Sequence, residues 1–384
     1  MPAFARSTAP VQTPHENARM MMIRPNKARR KLHRADEQTV GGRSKALAVG
    51  PGGIRGGKGK FNRFFNFRRR FAVKKFALAC LCALLFGSCA FGDDKPLVVG
   101  FAQIGAESGW RTAETDSVLS AAKELGIDLK FSDAQQKQEN QIKAIRSFIA
   151  QGVDGILLAP VVETGWEPVL NEAKKAGIPV ILLDRGIVTD DDSLYVCKIT
   201  SDFVFEGREA AKWVAKELNG KGNVVQLQGT PGASAALERQ KGFEEELAQH
   251  PDIKILESQT GDFTMELGKQ VMEAFLKKYG KDIQVVYAHN DDMGLGAVQA
   301  IREAGFKPGT DIKVITIDAT KHAFQAMVDG DINAVVECNP LLGPLAFETL
   351  KKAIAGMTLE KWIVQKDELF EMSQAAELIG LRKY

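Results

Sequence analysis

Leu97-Val98-Val99-Gly100-Phe101 runs into Glu107-Ser108-Gly109-Trp110-Arg111, then a segment over 112–125, Gly126, and the run Ile127-Asp128-Leu129-Lys130-Phe131. This stretch decides the fold. Its first apolar run reads as a strand buried on both faces. Residues 112–125 read as a helix closed by Gly126 in a left-handed C-cap. The second run is another strand. A strand, a helix and a strand joined by short links form the unit of a parallel sheet covered by helices.

Outward from it the rhythm persists. A helix over 138–151 sets Ile142, Ile145, Phe148 and Ile149 on one face and stops at Gly152. Strand 153–159, helix 166–176 and strands 180–183 and 195–199 follow. The alternation then restarts with helix 206–218, strand 223–227, helix 233–249, strand 253–259 and helix 264–279. It continues through strand 285–288, helix 295–304, strand 314–317 and helix 321–329, then helix 345–355 and strand 362–364. Two such halves in succession imply an α/β fold of two doubly wound parallel-sheet lobes joined by hinge crossovers. The first lobe is expected over 96–200 plus about 340–362, the second over 201–338 plus about 363–384. Crossings are expected near Thr200-Ser201-Asp202 and near Cys338-Asn339.

The region before residue 93 reads differently. Residues 1–92 carry 19 Lys/Arg against 3 Asp/Glu, and the remainder 32 against 45, so the net charge of +3 describes neither part. Residues 1–72 are rich in Gly, Arg, Lys and Pro and lack apolar periodicity, so they read as disordered or as a mis-assigned extension. Lys74-Lys75, the apolar stretch 76–86 and the small residues through Gly92 have the layout of an export signal over 73–92. Translation is then expected to begin near Val73. Cleavage after Gly92 releases a soluble protein; cleavage before Cys89 leaves a lipid there. Cys80 and Cys82 belong to the signal. Cys197 and Cys338 are read as buried thiols rather than a disulfide. His250, His289 and His322 do not cluster, and no metal or cofactor is expected.

In parallel α/β sheets, ligands gather where strands end, and polar residues stand at those ends here. Trp110 and Arg111 pair an aromatic face with a planar donor, a combination that suits a sugar; the bland alternative is a packed indole and a solvated guanidinium. Val180-Ile181-Leu182-Leu183 leads into Asp184-Arg185, an acceptor and a donor fork or else a local ion pair. Arg239 follows the Gly229–Ser234 loop, which lacks the lysine of a phosphate-binding loop. Asn290 offers a donor and an acceptor to a hydroxyl, while Asn290, Asp291 or Asp292 caps the helix at Leu295, and both can hold at once by different members of the trio. Asp318 ends its strand and is offered as a cap for the helix containing Phe324. Phe263 walls the cleft or lies in the core. Asp184 and Asp318 could face each other as paired carboxylates. No nucleophile–base pair accompanies them, so an enzyme is not expected.

Between 97 and 344 these residues resemble the type I periplasmic sugar-binding proteins of ABC importers, of the ribose and galactose class, and within it the galactofuranose-binding members. The resemblance is carried by Glu107-Ser108-Gly109-Trp110-Arg111, Gln135-Gln136-Lys137-Gln138-Glu139-Asn140-Gln141 and Thr164-Gly165-Trp166-Glu167-Pro168-Val169. It continues in Leu182-Leu183-Asp184-Arg185, Gly261-Asp262-Phe263-Thr264 and Tyr287-Ala288-His289-Asn290-Asp291-Asp292-Met293. It implies ligand contacts from Glu107, Ser108, Gly109, Trp110, Arg111, Asp184, Arg185, Arg239, Asn290 and Asp318, and a membrane permease and ATPase as partners. Two places depart from the family: Ala319 follows Asp318 where glycine is usual, and Glu337-Cys338-Asn339 differs from the ribose pattern.

The expected function is thus delivery of a monosaccharide, galactofuranose or a related galactose or pentose sugar, to an ABC transporter by a periplasmic monomer. A sensor partner for a chemoreceptor uses the same chemistry. The effector domain of a sugar-responsive repressor shares the fold, but residues 1–72 offer no helix-turn-helix, and no nucleic-acid partner is expected. Contact with the membrane is expected only through the permease or a lipid on Cys89. Arg239→Ala is expected to abolish most sugar binding with thermal stability nearly intact.

Overall fold

The computed structural model describes residues 95–384. The extension over 1–72, the signal over 73–92 and Cys89 lie outside the described residues.

The first lobe contains β1 (Val98–Gln103), α1 (Gly109–Glu124), β2 (Asp128–Asp133), α2 (Gln138–Gln151), β3 (Gly155–Leu158), α3 (Glu167–Lys175), β4 (Val180–Leu183) and β5 (Cys197–Thr200). The second contains α4 (Phe203–Glu217), β6 (Gly222–Gln228), α5 (Ser234–Leu247), β7 (Ile253–Thr260), α6 (Met265–Tyr279), β8 (Val285–Ala288), α7 (Asp291–Glu303), β9 (Lys313–Asp318), α8 (Lys321–Val328) and β10 (Ala334–Glu337). The chain then returns to the first lobe with α9 (Gly343–Ile354) and β11 (Trp362–Val364). It ends in the second with β12 (Leu369–Glu371) and α10 (Met372–Leu378).

One sheet has the order β2-β1-β3-β4-β5-β11, parallel throughout. The other runs β7-β6-β8-β9-β10-β12, with β12 alone antiparallel. The two sheets are therefore near copies, and the chain crosses between them three times. The third crossing lies between β11 and β12, a few residues beyond the expected lobe boundary at about 362–363. It is fixed by Gln365 N donating to Thr200 O at 2.9 Å and Glu337 N donating to Glu368 O at 2.7 Å.

Continuous apolar runs form the central strands because both faces are covered. All four residues of β4 are buried. In the first lobe Leu157, Ile181 and Leu183 pack on one side, with Phe347 of α9. Ile156, Val180 and Leu182 pack on the other, with Phe148 of α2, as alternation along a strand requires. The second-lobe core takes in one residue from across the cleft, Trp110 of α1. Cys197 and Cys338 are buried and unpaired.

Two expectations about termini are corrected. α1 begins at Gly109, not at 112, because the Ser108 side chain accepts from Arg111 N at 3.1 Å and caps the helix early. Trp110 and Arg111 thus ride its first turn. Asp318 is not the cap of α8: Thr320 takes that place, its hydroxyl accepting from Ala323 N at 3.3 Å.

A crevice of paired arginines and carboxylates

The loops at the carboxyl ends of both sheets converge on one small crevice. Every residue expected at the site except Gly109 lines it, joined by Ala235, Phe263 and Cys338.

From the first lobe, Arg111 is 2% exposed and gripped on three sides. Its Nε donates to Glu107 Oε1 at 3.0 Å, its Nη2 to Asp184 Oδ2 at 2.6 Å and its Nη1 to Glu114. Burial works against its charge, but Asp184, Glu114 and Glu107 outweigh burial and raise its pKa. Glu114 is itself held by Gln103 Nε2 at 3.0 Å. Asp184 sits just past β4 at φ 59°, the left-handed region, which turns its carboxylate into the cleft. Arg185 is anchored by Nη1 donating to Val161 O at 3.0 Å. Its Nε has no hydrogen-bond partner among the described residues. Burial and the Arg111 charge lower its pKa to about 10.

From the second lobe, Arg239 projects from α5. Its Nε donates to Glu206 Oε2 and its Nη1 to His289 O, both at 2.6 Å. Its Nη2 stands 3.9 Å from Asp318 Oδ1. The crossing of α4 and α5 allows this pairing. A Cβ at Gly207 would lie 2.1 Å from Arg239 O, and one at Gly242 would lie 2.0 Å from Val204 O. Asn290 itself is the cap among the candidates Asn290, Asp291 and Asp292. It accepts from Met293 N at 3.0 Å as the cap of α7, donates to Phe263 O at 3.1 Å, and lines the crevice. Asp318 is 3% exposed, with its pKa raised by burial and by neighbouring Asp291. Asp291 is itself fixed by Thr316 Oγ1 at 2.5 Å and by Thr320 N and Oγ1 at 2.7 and 2.8 Å.

Phe263 stands at φ 60° after Asp262 at φ 55°. Its ring faces the Arg185 guanidinium, 5.1 Å from Cζ to centroid. A Cβ at Gly229 would lie 1.9 Å from its edge, so only glycine leaves it room. Trp110 also lines the crevice, with its indole N–H donated across the cleft to Cys338 O at 2.6 Å. Gly109 N donates to Asp292 Oδ2 at 3.0 Å, Glu163 N to Gly232 O at 2.9 Å and Gly186 N to Ser234 Oγ at 3.0 Å. These bonds join the lobes, so the crevice is in its closed form.

The sequence leaves Phe263 between the cleft and the core, offers Asp291 only as a cap, and does not single out Glu114 or Glu206. Glu114 carries a local signal, three residues beyond Arg111 on one helix face. Glu206 carries none, because its partner lies 33 positions away.

The geometry is that of a two-lobed binding protein closing on a small polar solute. The family described as periplasmic binding protein domain matches residues 99–358, and the chain belongs to it. The galactofuranose-binding protein YtfQ of Escherichia coli is 54% identical over 292 residues, 75% of this chain and 92% of that protein. A crystal structure of a galactofuranose binding protein superposes with a TM-score of 0.74 at 54% identity, covering 75% of this chain and 99% of its own. The periplasmic binding protein component of the arabinose ABC transporter from Shewanella sp. ANA-3, bound to α- and β-L-arabinofuranose, gives 0.73 at 52% identity, over 74% and 95%. The chain is a solute-binding protein and not an enzyme.

Proposed function

We propose that this chain captures a monosaccharide in its furanose ring form, galactofuranose first and L-arabinofuranose as a close alternative, and delivers it to an ABC permease and its ATPase. The observation that carries the reading is the closed crevice itself. Three buried guanidiniums stand among Glu107, Asp184 and Asp318, with Phe263 supplying an apolar face. A sugar presents the complement of this: hydroxyls that both donate and accept, and a C–H face that packs on an aromatic ring. Arg185 Nε and Glu107 Oε2, buried and without hydrogen-bond partners among the described residues, are the groups most in need of a hydroxyl.

The lobes contribute opposite walls. Solute contacts with both therefore favour closure, which is the differential affinity a population shift requires. The furanose form is supported by the sugars named for the relatives. In this reading the protein is a periplasmic monomer, exported through the segment 73–92, with cleavage before Cys89 as the lipid-anchored variant. A thermal-shift and calorimetry panel of D-galactose, L-arabinose, D-fucose, D-ribose and D-glucose tests the function. Stabilisation by the sugars with accessible furanose forms, strongest for galactose or arabinose, is expected. A panel in which none stabilises the chain removes the reading.

A further inference from the structure

Arg382 stands outside the crevice and touches nothing in it, yet it ties together two strand ends that the crevice depends on. Its Nε donates to Ala319 O at 3.0 Å, just past β9, and its Nη2 to Glu337 Oε1 at 2.7 Å, the last residue of β10. Tyr384 OH donates to the same Glu337 oxygen at 2.9 Å and contacts Arg382 directly. The guanidinium lies among the rings of Phe324, Phe370 and Tyr384, with its Cζ 5.0, 5.4 and 4.7 Å from their centroids. Lys321 N donates to Tyr384 O at 2.6 Å, which holds the Arg382–Tyr384 stretch against α8. The ion pair is largely withdrawn from water, its side chains 11% and 14% exposed.

What this arrangement grips is a strained turn. Asp318 has φ 130° and Ala319 has φ 65°, conformations that L residues keep only where the surroundings over-determine them. The Asp318 carbonyl accepts from Cys338 N at 3.2 Å, and the Ala319 carbonyl accepts from Arg382. The side chain carried on the turn is the Asp318 carboxylate that lines the crevice.

We propose that Arg382 is a positioning residue for the solute site. By fixing Ala319 O and Glu337 together it sets the Asp318–Ala319 turn and so aims the Asp318 carboxylate. A lysine could not substitute, because one point charge cannot reach both acceptors and stack among three rings. This inference rests on the proposed sugar-binding function.

The test is a double-mutant cycle in the full chain. Wild type, R382A, D318N and R382A/D318N are titrated with D-galactose and L-arabinose by calorimetry, and their unfolding is followed in parallel. R382A should raise Kd about tenfold, while in the D318N background the same change should move Kd by less than about twofold. A merely structural role would lower Tm yet leave the two effects on Kd additive, and additivity overturns the proposal. Should R382A not fold, E337A breaks the same tie from the other side, and its cycle with D318N carries the same expectation. A crystal structure of R382A or E337A decides without sugar: a rearranged turn at 318–319 supports the role, and an unchanged turn overturns it. Wild type binding neither sugar would remove the proposed function instead, leaving the positioning role to be decided by the turn geometry.

Discussion

Arg239 shows how a residue proposed to bind solute also becomes a structural one. Its guanidinium neutralises Glu206, which is fully buried, and holds the His289 carbonyl. Neither partner is visible in the sequence, which leads to the expectation that Arg239→Ala spares stability. The structure revises this. Removing one member of a buried ion pair leaves the other charged and unpaired, at a cost of about 3–5 kcal/mol. R239A should therefore lose sugar binding and also unfold about 10 °C lower. R239M/E206M should recover most of the melting temperature, because a matched apolar pair replaces the ions, while sugar binding stays lost. Calorimetry and thermal unfolding on the two variants separate the roles. An R239A chain with unchanged affinity would remove Arg239 from the site.

At the scale of elements, the first turn of α1 acts as a latch. Trp110 leaves its own lobe and joins the core of the other, with its N–H on Cys338 O. One residue earlier, Gly109 N meets Asp292. Both bonds exist only while the lobes are together. W110F keeps most of the apolar face and deletes the donor. A hydrogen bond of this kind contributes about 0.5–1.5 kcal/mol, so Kd should rise roughly 3- to 10-fold. Stopped-flow tryptophan fluorescence is compromised by the substitution, so surface plasmon resonance with the immobilised chain is the measurement. The increase should fall in koff with kon nearly unchanged. An increase confined to kon would mean that Trp110 acts before closure and is no latch.

Elements also show what was legible in advance. The central strands were readable because burial on both faces leaves continuous apolar runs. The crevice was readable because parallel sheets place strand ends together, so Asp184 and Asp318 could be located from the residues before them. β12 was not readable: Leu369-Phe370-Glu371 is a half-buried edge strand of three residues, too short for any period to register. The supports behind the crevice were equally hidden. Glu206 acts through a neighbour in space and breaks no apolar pattern on its own, and Asp291, though it follows the apolar run 285–288, reads there only as a cap.

Taken as a whole, the molecule is two similar lobes on three chain crossings, and the third crossing carries an unusual group. Asp367 is 7% exposed, and neither carboxylate oxygen has a hydrogen-bond partner among the described residues. Burial, reinforced by the charge of Glu206, pushes its pKa up to about 8. Glu206 is pushed up to about 7 by burial, against the pull of Arg239. An unfolded aspartate releases its proton near pH ~4. Between about pH 4 and about pH 8 the folded chain therefore holds a proton that the unfolded chain has lost. Stability must then fall as pH rises through that window, the reverse of the behaviour of a salt-bridged carboxylate. D367N carries a neutral amide at every pH and should flatten the slope. Measured against wild type, it should gain about 4 kcal/mol between about pH 5, where the two match, and about pH 8, at ~1.4 kcal/mol per pH unit. Urea unfolding at the two pH values measures both numbers. Parallel slopes for wild type and D367N would show that the crossing is hydrated enough to keep Asp367 ionised, and that the three strands of chain between the lobes carry no proton-linked load.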